Sequence, residues 1–190
     1  MGDACDPCNN TFNGGVFATK VKLIVLKLVT APGDDKLKIK GSLLLPTTPT
    51  IRCDLNGARV IVEKQDGTDI IDTTLPPGAY DAVAKVGWTT NATTSKFKYK
   101  NAGITPNPLI DGIYKTSVIL STKTPGLLKF GVSGKTGAYG PIAGADLPLK
   151  ATLILDVPPH SSTSQCGETS FLPANCALLG GGSTVKCQLK

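Results

Sequence analysis

Apolar and polar residues alternate with a period of two along most of this chain, in short runs broken by Gly, Pro and Asp. In "KVKLIVLKLV" (20–29), Val21, Leu23 and Val25 share one face. Lys20 and Lys22 begin the other, which Ile24 and Leu26 then make apolar, so the pattern predicts a strand buried on both faces over its second half. "APGDD" (31–35) turns the chain. In "KLKIKGSLLLP" (36–46), Leu37, Ile39 and Leu43 point inward while Lys36, Lys38 and Lys40 point outward. "RVIVEKQDGTDIIDTTL" (59–75) reads as a hairpin with a two-residue turn at Asp66-Gly67, placing Lys64 opposite Asp69 and Val62 opposite Ile71. "SKFKYKN" (95–101) sets Phe97 and Tyr99 against Lys96, Lys98 and Lys100. Further strands are expected in 113–121, 127–134, 147–156 and 183–189. No stretch of helical length repeats near 3.6 residues. The fold class is therefore all-β and antiparallel, a β-sandwich or a pair of them.

Four blocks recur in the same order. Residues 21–41 resemble 113–134, 54–63 resemble 146–156, "DTTLPPGAY" (72–80) resembles "ETSFLPANC" (168–176), and 95–100 resemble 183–188. Their offsets are about 91–93, 92–93, 96 and 88 residues. An internal duplication is expected. It divides the chain into an N-terminal Cys-containing segment (1–15), a first β-repeat (16–102), a Pro- and Gly-rich linker (103–111) and a second β-repeat (112–190), the repeats packing on each other.

The succession LKIK (37–40), GARVIVE (57–63), LPPG (75–78), Trp88, KFKYKN (96–101), Pro125-Gly126 and LKF (128–130) resembles uncharacterised secreted bacterial proteins that carry this β-repeat. The resemblance spans most of 16–190. It implies a secreted β-fold and transfers no catalytic residue.

Net charge is +6, and the basic residues are 18 Lys and 2 Arg. Nucleic-acid readers rely on the bidentate fork of Arg, so nucleic acid is not an expected partner. Lysines at alternate strand positions read as solvated faces that block edge pairing, with some attraction for anionic envelope polymers. No run is long enough for a membrane span, so membrane insertion is not expected. The start "MGDACDPC" has no leader and reads as a mature secreted chain preceded by an added Met-Gly.

Six cysteines, an even number, point to disulfides in an oxidising compartment. In the repeat alignment Cys176 matches Tyr80 and Cys187 matches Tyr99, which predicts a Cys176–Cys187 bridge. Cys5, Cys8, Cys53 and Cys166 are left with their pairing open. Zinc would need a second C-x-x-C or further histidines; His160 is the single one. No metal and no cofactor are expected.

Catalytic signatures are absent. His160 lies in a Pro/Ser-rich connection without a nucleophile elbow. Gly134-Lys135-Thr136 lacks the first glycine of a phosphate loop. Asp66, Asp69 and Asp72, and Asp34 with Asp35, read as turn and strand residues. Asn9 and Asn91 open N-glycosylation sequons. Trp88 and Tyr139, the latter at the tip of a loop of small residues, are the candidate ligand-binding residues, by stacking on sugar rings. The expected function is a secreted, non-catalytic binding module for carbohydrate or envelope polymer. A self-assembling subunit that donates strand 21–29 is the alternative, and a hydrolase with unidentified carboxylates is third.

Overall fold

The computed structural model describes residues 8, 16–45, 50–156, 161 and 163–189, and the side chains of 16–19 are not considered. In chain order they form β1 (Val16–Leu26), β2 (Asp35–Leu44), a one-turn helix α1 (Cys53–Asn56), β3 (Ala58–Glu63), β4 (Asp69–Leu75), β5 (Val86–Thr90), β6 (Lys96–Asn101), β7 (Ile113–Leu120), β8 (Leu127–Gly137), β9 (Lys150–Ile154), β10 (Cys166–Ser170), β11 (Cys176–Leu179) and β12 (Thr184–Gln188). The all-β, antiparallel reading holds.

Two sheets, antiparallel except for one parallel bridge between β1 and β10, share β1. One runs β4-β3-β9-β10-β1 and the other runs β11-β12-β1-β2-β8-β7-β6-β5. β1 can serve both because its register against β2 slips between Phe17 and Lys22, where Lys20 sits at φ 56°. Such a bulge bends a strand and increases its twist. Before the bulge Val16 meets Glu168 of β10; beyond it residues 22–26 pair with β12. Inward residues of both sheets join one core cluster, with Leu23, Ile39 and Val132 from one and Val60, Ile71 and Leu153 from the other. That continuity follows from the alternation itself, since each strand has one apolar face to remove from water.

The pairing has a period of six strands. β1·β2, β3·β4 and β5·β6 recur as β7·β8, β9·β10 and β11·β12, and β6·β7 recurs as β12·β1. β2·β8 and β3·β9 join strands six apart. The single β1–β10 contact has no counterpart ladder, although Thr73 of β4 donates to the Asp111 carboxylate just before β7.

The predicted Cys176–Cys187 bridge is present, and a second joins Cys8 to Cys166. The tyrosine pair expected to match the first bridge is not found. Cys176 faces Cys187 across β11·β12, and at the same place in β5·β6 Trp88 faces Tyr99. Tyr80 lies outside these strands. The repeat alignment missed this because it matched Tyr80, which lies between the isolated bridges at Ala79 and Asp81, with a strand residue.

Three further expectations change. The outer face of β1 is not buried: Ile24 is half-buried between Lys38 and Lys186, and Leu26 is exposed. The hairpin turn contains three residues. Only Gly67 is left-handed (φ 85°), and Lys64 N–H donates to Thr68 O at 2.9 Å. Val62 still meets Ile71, but Glu63 faces Asp69, and Lys64 pairs with Asp146 at 3.2 Å. Finally, β1 is paired along both edges and is not free to join a neighbour's sheet.

Trp88 is the largest fully buried side chain. Its ring centre lies 5.3 Å from that of Tyr99, and its Nε1–H donates to Pro76 O at 2.9 Å. Trp88→Ala removes that packing and leaves the carbonyl unpaired. Chemical denaturation should show a loss of about 3–5 kcal/mol.

Cys53 is free and wholly buried in α1. Burial pushes its thiol pKa well up, and the neighbouring Asp54 adds to the shift. Peptide mapping after treatment with a thiol reagent should find Cys53 unmodified in the native protein and modified once it unfolds.

Candidate functional site

The two residues expected to stack on sugars are both buried. Trp88 is 1% exposed and Tyr139 is 4% exposed. Tyr139 folds back into a slot cleared by glycines: a Cβ at Gly134 or Gly137 would lie 2.3 or 2.1 Å from its atoms. Its hydroxyl donates to Asp111 O at 2.7 Å, and Asp35 accepts from its backbone N–H at 2.7 Å. Burial raises the phenol pKa, helped by Asp111 and Asp35. Neither ring offers a face to a ligand.

Most of the carboxylates are committed as well. Asp34 accepts from Lys27 and Thr30, Asp66 caps Thr68 N–H, and Asp72 holds Arg59 through two bonds of 2.6 and 2.7 Å. Asp69 has its pKa raised from its ordinary value, first by burial and then by Asp72. Glu63 and Glu168 converge, but Lys150 sits between them at 3.2 Å from each. Burial opposes the charge on Lys150, yet Glu168 and Glu63 outweigh it and hold its pKa above the usual value. Among the described residues no group of three or more His, Cys, Asp or Glu could hold a metal ion, and no helix is long and apolar enough to cross a membrane. The Asn91 side chain is engaged by Ser95 and Lys96 N–H groups. Cys5, Asn9 and His160 lie outside the described residues.

The distinctive chemistry lies on the outer face of the second sheet. Lys22 of β1, Lys36, Lys38 and Lys40 of β2, Lys96, Lys98 and Lys100 of β6, Lys115 of β7, Lys129 and Lys135 of β8, and Lys186 of β12 alternate with the buried residues of their strands. The only acid in β1, β2, β5, β6, β7, β8 or β12 is Asp35, which is buried on the inner side. None of these lysines lies in a salt bridge with a described carboxylate.

Register arranges them in rows. One runs Lys186, Ile24, Lys38, Ser133, Lys115, Lys100 and Gly87 across seven strands. The next runs Gln188, Lys22, Lys40, Gly131, Ser117, Lys98 and Thr89. At a strand spacing of about 4.8 Å, each row spans roughly 29 Å. Between the β2 and β6 lysines these rows carry Gly131, Ser133 and Ser117 together with Lys115, so short side chains separate the cationic ones. Lys22 faces Lys40 and Lys100 faces Lys115 directly. Like charges in that position destabilise a sheet by about 0.2–1 kcal/mol per pair. Fold stability alone gives no reason to retain them.

At one end of the first row lies a cleft of about 360 Å³ bordered by Tyr80, Lys85, Lys100, Tyr114, Lys115 and Lys135. Lys135 Nζ lies 5.2 Å from the centre of the Tyr114 ring, a cation–π contact. Tyr80 is 37% exposed. Its position depends on Gly87 (φ 120°), where a Cβ would strike Ala79 O at 2.5 Å; this lets segment 78–81 lie on β5, with Tyr80 N–H donating to Trp88 O. Asp81 caps the following turn through Val83 and Ala84 N–H, and Lys85 O accepts from Ala102 N–H. A second cleft of about 360 Å³ is bordered by Pro76, Pro77, Pro106, Pro108 and Tyr99 and brings together no lysine.

Sequence reasoning saw each lysine as solvated but not their convergence, because strand neighbours such as β2 and β8 are far apart in the chain. The absence of acids from these strands was the available signal. Tyr80 and Tyr114 were missed. No family model matches the chain, and neither curated proteins nor solved structures give a match.

Proposed function

We propose that this chain is a secreted, non-catalytic binding module whose lysine face holds an anionic polysaccharide of the cell envelope or matrix. The observation that carries this reading is a sheet face of lysines with no acidic residue among them and no salt bridge to a described carboxylate. A linear polyanion laid across the strands along a lysine row meets several ammonium groups, and counterion release drives the association. The committed carboxylates favour binding over catalysis. Secretion is supported by the two disulfides, which suit an oxidising compartment. The six-strand period of the pairing supports a duplicated unit folded over a shared core as a sandwich.

Retention on immobilised polygalacturonate or alginate, compared with dextran, tests the reading. Retention on the acidic polymers alone is expected. Equal retention on dextran, or a clear preference for anionic vesicles or duplex DNA, would overturn it. Self-assembly has one supporting observation, the edge strand β11 with Leu178 and Leu179 exposed. Light scattering that rises with concentration would favour that reading.

A further inference from the structure

Resting on that reading, we infer that the Tyr80 cleft seats one acidic pyranose of the polymer, a hexuronate, and so selects sugar polyanions over ringless ones. The cleft combines two chemistries that the rest of the face does not. Lys85, Lys100 and Lys115 bring ammonium groups to its border beside Tyr80. Tyr114 is occupied by Lys135, so its role is to hold that ammonium at the cleft. The exposed ring of Tyr80 is the surface open to a ligand. A pyranose has an apolar C–H face that packs on an aromatic ring, and a uronate adds a carboxylate at the ring's edge. Polyphosphate offers the charge and no ring. The lysine rows therefore read charge, and the cleft reads the sugar. The cleft terminates the row of Lys38, Lys115 and Lys100, so a chain lying on the face reaches it without a bend.

The test is titration of wild type, Tyr80→Ala and Tyr80→Phe with oligogalacturonate and with inorganic polyphosphate. Tyr80→Ala should weaken oligogalacturonate binding about tenfold, the factor for one lost ring contact of about 1.4 kcal/mol, and leave polyphosphate binding unchanged. Tyr80→Phe should match wild type with both. Equal loss for both probes, or no loss for either, would overturn the cleft inference while the charge reading stands. Wild type binding neither probe would overturn both. Tyr80 is partly exposed and lies outside the strands, and circular dichroism should show that both variants fold as wild type.

Discussion

Replacing Cys8 and Cys166 together by alanine should cost the fold about 5 kcal/mol, the larger of the two disulfide effects. The bridge spans 158 residues, so it removes more entropy from the unfolded chain than a local link does. It also holds Cys8 against the sheet: Cys8 and Cys166 are buried with Ile61 and Ile154 in a small cluster on the outer side of β3 and β9. The Cys176–Cys187 bridge spans 11 residues and closes β11 onto β12, for about 3 kcal/mol. Denaturant unfolding of the two double variants checks the order. A larger loss from the shorter bridge would contradict it.

The second large effect concerns binding. Reversing the charge at Lys38, Lys40, Lys98 and Lys100 by substitution with glutamate should weaken affinity for a polyuronate by about a thousandfold, at about 1 kcal/mol for each lysine near an anionic surface. The same variant should fold as well as wild type or slightly better. Lys22 then faces a carboxylate at position 40 in place of an ammonium, and Lys115 faces one at position 100, so two repulsive pairs become attractive. Loss of binding without loss of stability marks positions maintained for a ligand. Lys123→Glu, in the β7–β8 turn, carries the same charge change as a single face reversal and should alter affinity less than about twofold. Isothermal titration alongside thermal unfolding measures both quantities.

Much of the fold was legible because alternation specifies strands directly. Phe97 and Tyr99 face inward and Lys96, Lys98 and Lys100 outward as the pattern requires. The Cys176–Cys187 bridge was reached from the repeat, although its counterpart is Trp88–Tyr99 and not a tyrosine pair. Ring exposure was not legible. Whether Tyr139 meets solvent depends on a slot formed by glycines and on Asp35, which is 104 residues away. The lysine face had the same difficulty: period two gives the side of a strand on which a residue lies, but not which strands lie beside it. The sequence therefore displayed the cationic residues without displaying the site. The hairpin around Asp66-Gly67 is present with a longer turn than expected: with one left-handed residue, Gly67, Glu63 rather than Lys64 faces Asp69.

The most direct measurement of the central claim is wild-type affinity for polygalacturonate as a function of salt concentration, with the four-lysine reversal beside it. The account predicts a steep linear fall in log affinity with log salt, with a slope corresponding to several released counterions, and a much shallower slope for the reversal. A wild-type slope near zero, or an unchanged slope in the reversal, would contradict it.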